Sequence, residues 1–444
     1  MKRIGKGDLG RNMAFISLVV LSLLAMAGTV WAEKEWIIDR DALPFVARPG
    51  ATAYWGVHAE AAYQMEVPAN WNGGLVLWAH GYVADTNKFL RVQMPSLRDL
   101  WLAQGYAWAA SSYRANGYVP GIGALDTHRL IGLFKGKVGN PKRVYITGAS
   151  LGGHVTGVAI EQWPNAFDGA MPICGVMGAN DLFDYFQDAY LVAETLVWGD
   201  VDVPTPDDYT TNGWPATQAE LGAPFPAGPL SETGVIYKEI IKRITGGERP
   251  GFHQGFTINP VVNGAFIFNF GSAAIHNRDN LDTVYRWTDD AVPTPEEQEF
   301  NDTILRLAGL PQFHRKNGLG VWPGTTAVSP PINGTFRIPV LSLHTLGDMF
   351  VPFSMQQSYA RRALERGKDH LLAVRAIRGF SHCDFEGPEL VQAWNDLVAW
   401  VEYGNPAAGD DVLDPEQVRQ SDFGCAYSVN TFGRGLLGLN CTTP

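Results

Sequence analysis

Residues 148–152 read Gly148-Ala149-Ser150-Leu151-Gly152, directly after the strand-like run Arg143-Val144-Tyr145-Ile146-Thr147 and directly before a helical pattern. Such a junction is a sharp strand-to-helix turn. It strains the serine backbone, exposes Oγ at the end of a sheet, and needs small flanking residues so that neighbouring segments can pass closely. The chemistry on offer is nucleophilic attack on an acyl carbon. An alcohol is a poor nucleophile near neutral pH, so a base must take its proton, a third group must orient that base, and fixed donors must meet the developing oxyanion. The following helix supplies one such donor, the Leu151 N–H, at a terminus whose dipole favours negative charge. In a chain with 49 glycines the pentapeptide is a weak signal by itself, so its setting has to carry the inference.

That setting is an alternation of strands and helices. Residues 51–67 alternate as edge or hairpin strands do, and Gly74-Leu75-Val76-Leu77-Trp78-Ala79 is a continuous apolar run suited to a strand covered on both faces. Helical patterns at 96–104, 124–135 and 151–163 alternate with strand-like runs at 107–110, 143–147 and 169–174, which predicts a mostly parallel sheet with helices on both faces. The alternation stops near Gly175 and resumes near Ile338. Between them lie about 160 residues rich in Pro, Trp and Phe, with helical stretches at 182–197, 234–244 and 295–308. A structureless loop of that length does not survive in a compact domain, so residues 176–335 are expected to form a cap or lid insertion. The sheet resumes with Ile338-Pro339-Val340-Leu341-Ser342-Leu343, then a helix at 355–366, a strand at 370–377 and a final helix at 389–403. The expected organisation is therefore a core of 33–175 and 336–405, the insertion, and a Gly-rich tail at 406–444.

From about Trp71 to Tyr403 the chain resembles the α/β-hydrolase superfamily, whose order along the chain is Ser, then Asp or Glu, then His, with the last two on loops after strands that follow the insertion. The loop Leu343-His344-Thr345-Leu346-Gly347-Asp348-Met349-Phe350-Val351-Pro352 stands where the superfamily carries its acid, and Asp348 is the residue implied. Arg378-Gly379-Phe380-Ser381-His382-Cys383 stands where it carries its base, implying His382. His80-Gly81-Tyr82, after the strand at 74–79, resembles the His-Gly-X oxyanion loop and implies the Tyr82 backbone N–H as the second donor beside Leu151. The resemblance thus implies a serine hydrolase with the triad Ser150, Asp348 and His382, no metal and no organic cofactor. Asp181 is a rival acid, and His80 reads as a structural residue of its loop. Arg114 could bring a cation to the site for an anionic substrate, with a salt-bridged surface arginine as the competing reading. Trp198, Trp214, Tyr285, Trp287 and Trp322 could shape an acyl pocket or form the core of the insertion.

Composition bounds the partners. The N-terminal Met1-Lys2-Arg3, the apolar run from Met13 to Ala27 and Val30-Trp31-Ala32 read as a secretory signal peptide, with cleavage expected after Ala32 and no membrane association afterwards. The formal charge of −11 becomes more negative on losing Lys2, Arg3, Lys6 and Arg11 with Asp8. That argues against nucleic acid as a partner. Cys174, Cys383, Cys425 and Cys441 in an exported chain suggest two disulfides with three connectivities open. Pairing Cys425 with Cys441 would staple the tail and leave Cys174 for Cys383; free buried thiols are the alternative.

The expected activity is hydrolysis of a small-molecule or polymeric carboxylic ester through an acyl-enzyme on Ser150. A peptidase or amidase using the same triad is the first alternative, favoured if acidic residues of the insertion face Ser150. A non-catalytic binding protein on the same fold is the second. Tannases and fungal feruloyl esterases bridge cysteines adjacent to the catalytic Ser and His; Ala149 precedes Ser150 here, so that bridge cannot form.

Overall fold

Eight strands build the sheet, and the physical demands on each explain its residues. In the computed structural model, which describes residues 36–84, 86–199, 201, 208–258, 279–308 and 330–441, these strands are β1 (Ala51–His58), β2 (Ala61–Pro68), β3 (Gly74–Ala79), β4 (Ala107–Ser111), β5 (Arg143–Ala149), β6 (Gly169–Ile173), β7 (Val340–Thr345) and β8 (Leu372–Ile377). The expected signal peptide and Trp322 lie outside the described residues. β1 and β2 form an antiparallel hairpin whose two-residue loop, Ala59-Glu60, has both φ values positive. That is the turn geometry whose twist suits a tight hairpin. From β4 onward the ladder is parallel, and the spatial order is β1-β2-β4-β3-β5-β6-β7-β8. The fold is the α/β-hydrolase fold, as expected.

β3 lies between β4 and β5 with all six residues buried, so its unbroken apolar run has packing partners on both faces. The helices that cover the sheet are α1 (Arg98–Ala103), α2 (Pro120–Lys137), α3 (Leu151–Gln162), α9 (Ser354–Glu365) and α10 (Gly387–Tyr403), while the segment between β6 and β7 carries α4 (Asp181–Trp198), α5 (Trp214–Leu221), α6 (Glu232–Ile244), α7 (Phe252–Ile258) and α8 (Pro295–Thr303). On one face α1 and α10 bury Trp101 and Trp394 against Trp108, Tyr145 and Tyr106. Fully burying a large apolar side chain is worth about 1.5–3 kcal/mol, so this aromatic layer is a principal support of the central strands. Tail residues close the sheet edge at β8: Asp410 N–H donates to the Val374 carbonyl (2.7 Å), and Ala376 N–H donates to Asp410 Oδ2 (2.8 Å). An edge covered in this way offers no template for pairing.

Several element boundaries differ from expectation. α2 starts at Pro120 rather than 124 because proline's fixed φ suits a first turn. The helix expected to reach 308 ends at Thr303, where Ile304 turns extended (ψ 135°). β7 starts at Val340, after Pro339, whose missing N–H cannot serve a ladder. α5 and α7 have no counterpart among the helical patterns of the sequence. Both are short, and Pro215 and Gly255 within them weaken a periodic signal.

Candidate active site

Ser150 stands between β5 and α3 with φ 59° and ψ −121°. A non-glycine residue there costs on the order of 1–3 kcal/mol, and the surroundings hold it. A methyl group at Gly152 would lie 2.0 Å from the Ala79 carbonyl oxygen, and one at Gly148 2.6 Å from the same atom. Both glycines are therefore steric requirements of the turn. Ser150 N–H donates to the Ile173 carbonyl (3.0 Å), which ties the turn to the end of β6.

The three residues implied by the resemblance come together although 232 positions separate the first from the last. His382 Nε2 lies 2.9 Å from Ser150 Oγ, and its Nδ1 lies 2.6 Å from Asp348 Oδ2. Asp348 is fully buried, and its Oδ1 accepts from the N–H groups of Phe350 and Val351, each at 2.9 Å. One carboxylate oxygen thus locks its own loop and the other faces the imidazole. The rival Asp181 instead binds Arg362 through both oxygens, at 2.8 and 3.0 Å.

The His80-Gly81-Tyr82 loop runs beside the serine: a methyl added at Gly81 would lie 3.6 Å from Ser150 Cβ. Burial pulls the His80 pKa down, so its ring is neutral and carries one proton. Nδ1 is 2.7 Å from the Gly81 carbonyl and Nε2 is 3.2 Å from the Ser112 carbonyl, and the proton belongs on the shorter contact. A trans peptide directs its C=O and N–H oppositely. With the Gly81 carbonyl turned toward His80, the Tyr82 N–H of the same peptide points away from that ring. Tyr113 completes the support, stacking on His80 at 3.9 Å and donating its hydroxyl to the His80 carbonyl (3.1 Å). Tyr113 also has positive φ (55°), so strain gathers around this site.

Arg114 lies 2.9 Å from the buried Asp126 and donates its backbone N–H to the same carboxylate, which takes it up as an ion pair. Among the aromatic residues of the insertion, Trp214 and Tyr285 are buried in its core and Trp287 packs against it, while Trp198 is exposed and donates to Thr217. Trp214 and Tyr285 are core residues with Trp287 packed on that core, and Trp198 belongs to the surface.

Other groups at the site have no local signature in the sequence. The Phe350 ring meets His382 edge to face at 5.1 Å and lies 5.9 Å from Phe186 of α4. Tyr185 donates its hydroxyl to the Met349 carbonyl (2.8 Å), and the buried Arg249 donates Nε to the Leu346 carbonyl (2.7 Å). Burial draws the Arg249 pKa down to about 10, which still leaves it charged at neutral pH. A methyl at Gly255 would lie 1.9 Å from the Gly347 carbonyl oxygen, so α7 touches the acid loop at backbone distance. On the other side the Gly347 N–H donates to the Gly379 carbonyl (2.9 Å). The acid loop is held between the segment linking β6 to β7 and the histidine loop.

Two disulfides form, Cys174–Cys383 and Cys425–Cys441. The first joins the end of β6 to the residue after His382. The second closes the tail, whose Arg434 pairs with the buried Glu389 and donates to the Asp384 carbonyl (3.0 Å) of the histidine loop. Among the described residues no helix is long and apolar enough to cross a membrane.

The prolyl oligopeptidase family matches residues 123–215, a stretch that contains α3 and the serine turn. An o-phthalyl amidase of Xanthobacter agilis is 22% identical over 421 aligned positions, covering 80% of this chain and 88% of that protein. Among solved structures, feruloyl esterase B of Aspergillus oryzae is 14% identical at a TM-score of 0.44, covering 81% of this chain and 82% of its own. The acylaminoacyl peptidase of Pyrococcus horikoshii is 10% identical at a TM-score of 0.37, covering 83% of this chain and 44% of its own.

Proposed function

Taking the chain as a hydrolase of the α/β-hydrolase superfamily, we propose that it cleaves a carboxylic ester through an acyl-enzyme on Ser150. The observation that carries this reading is the continuous contact from Asp348 through His382 to a strained Ser150. His382 Nε2 takes the Ser150 proton as Oγ attacks the acyl carbon, then returns it to the departing alkoxide. Asp348 keeps the ring proton on Nδ1, so that Nε2 presents a lone pair, and stabilises the imidazolium that forms. The Leu151 and Tyr82 N–H groups receive the oxyanion; losing one such donor costs on the order of 100-fold or more in rate. Water then repeats the sequence on the acyl-enzyme with His382 as base.

Residues 176–335 act as the cap of this site. Support comes from the contacts of Tyr185, Phe186 and Arg249 with the acid loop and its Phe350. Residues 1–32 direct export and are removed after Ala32, which fits a chain that holds two disulfides. Mass spectrometry of the exported protein should find Glu33 at its N-terminus; an intact Met1 would refute this.

The second reading, amide hydrolysis by the same residues, is favoured by the name of the Xanthobacter relative. The experiment compares nitrophenyl esters of increasing acyl length, aminoacyl anilides and an o-phthalyl amide, using the wild type and Ser150→Ala. Ester turnover above both amides supports the ester reading, and amide turnover above ester turnover replaces it. An active Ser150→Ala would refute the mechanism in either form.

A further inference from the structure

Cys174, His382 and Cys383 bring two sulfurs and an imidazole nitrogen within 4.8 Å of one another beside the serine. Cys383 Sγ is 3.5 Å from His382 Nε2. A tetrahedral zinc ion with Zn–S of about 2.3 Å and Zn–N of about 2.0–2.1 Å separates those two ligand atoms by about 3.5–3.6 Å. The nitrogen and one sulfur therefore already stand at ligand spacing. The second sulfur need only move until the two are about 3.8 Å apart, which side-chain rotation provides once the disulfide is open. The outer support of a metal-bound histidine is also in place. Zinc-ligating histidines commonly donate their other ring N–H to a carboxylate, and His382 Nδ1 faces the buried Asp348 Oδ2 at 2.6 Å. Ser150 Oγ lies 2.9 Å from the same Nε2, so a cation held there would sit beside the serine hydroxyl.

We propose that opening the Cys174–Cys383 disulfide converts this corner of the active site into a binding site for a thiophilic divalent cation such as Zn²⁺, and that the bound cation switches the hydrolase off. A dithiol reductant supplies the two electrons and two protons: the S–S bond breaks, two thiols form, and the reductant closes to its own cyclic disulfide. Binding Zn²⁺ then releases both thiol protons to solvent, because the thiolate is the ligand. The Nε2 lone pair that would accept the Ser150 proton is used by the metal. The intact disulfide accordingly keeps metal away from the base as well as tying the histidine loop to β6.

The loss of activity rests on the proposed roles of Ser150 and His382; metal binding does not, and the two are read separately. Co²⁺ is titrated into oxidised protein, protein reduced with a dithiol, and reduced Cys174→Ser, with near-ultraviolet circular dichroism to confirm folding. One equivalent should give the thiolate-to-cobalt charge-transfer band and visible bands of tetrahedral Co²⁺ in reduced wild type. The band should be absent from the oxidised protein and, in Cys174→Ser, fall to what Cys383, Cys425 and Cys441 contribute without the second sulfur. One equivalent of Zn²⁺ should lower ester turnover of the reduced enzyme more than 100-fold, reversibly with a chelator, and leave the oxidised enzyme unchanged. No band above that of Cys174→Ser, equal inhibition of both redox forms, or loss of fold on reduction would overturn the proposal. A cobalt site in a protein whose oxidised form hydrolyses no substrate would refute the hydrolase reading and leave the metal site standing.

Discussion

Replacing Asp348 by Asn separates the two jobs of this carboxylate, because the structure decides which way the amide must face. Oδ1 accepts from the Phe350 and Val351 N–H groups, while Oδ2 faces His382 Nδ1. With the amide oxygen at the δ1 position both backbone donors stay satisfied. The reverse placement sets an NH2 against two buried N–H groups, at about 1–3 kcal/mol for each orphaned donor. The oxygen therefore stays with the backbone and the NH2 turns to His382. Nδ1 must then accept, the ring proton moves to Nε2, and the nitrogen that takes the Ser150 proton in the proposed mechanism already carries one. The loss is of the right tautomer, with fold and nucleophile intact. The equivalent change in serine proteases lowers kcat about 10⁴-fold, roughly 5.5 kcal/mol of transition-state stabilisation. Steady-state turnover of the best nitrophenyl ester should show that loss in kcat at nearly unchanged KM, with a thermal midpoint within a few degrees of wild type. Turnover within tenfold of wild type would show that Asp348 does not set the tautomer. A loss matched by collapse of the midpoint would show that its role is to hold the loop.

Tyr185→Phe leaves the buried Met349 carbonyl without its 2.8 Å donor and should cost about 1–2 kcal/mol of stability and roughly tenfold in kcat; unchanged kcat would show that α4 does not position the acid loop. Burial pushes the Asp188 carboxyl up to about 7, above its ordinary range, so the folded state holds a proton that the unfolded chain has lost, and stability falls as pH rises from about 4 to about 7. Asp188→Asn keeps an acceptor for the Tyr285 hydroxyl and should gain on the wild type across that window, by up to a few kcal/mol at pH 8; parallel melting curves from pH 4 to 8 would contradict this. Glu297 behaves oppositely. Burial raises its pKa, but the N–H groups of Trp287, Thr294 and Thr288 and the Arg286 guanidinium outweigh that and hold it at about 2. Its contribution is full above the unfolded value of about 4.5 and fades as pH falls toward 2. Glu297→Gln turns its NH2 toward one pair of these donors at every pH, so it should show a deficit throughout that is larger at pH 7 than at pH 2, and an equal deficit at the two pH values would refute the cause.

What could be read from the sequence shares a physical character. The glycines at 148 and 152, the apolar run of β3 and the serine turn answer to demands set within a few residues, and such demands leave local patterns. The Ser, Asp, His order was accessible through resemblance, because each of the three closes a recognisable strand. Tyr185, Arg249 and Gly255 have no comparable signature. Their partners are main-chain atoms of the acid loop, the first two reaching carbonyls 164 and 97 positions away. A carbonyl accepts from any donor that reaches it, so it imposes no particular residue type or spacing on the distant segment. The same reasoning accounts for the histidine loop, where the Arg434 contact to the Asp384 carbonyl could have come from any long donor in the tail. Residues that act on the acyl group must be of one kind, whereas residues that hold the loops need only a donor and the right reach. The second group is therefore free to change while Ser150, Asp348 and His382 stay as they are, and its residues leave no pattern that a sequence reading could find.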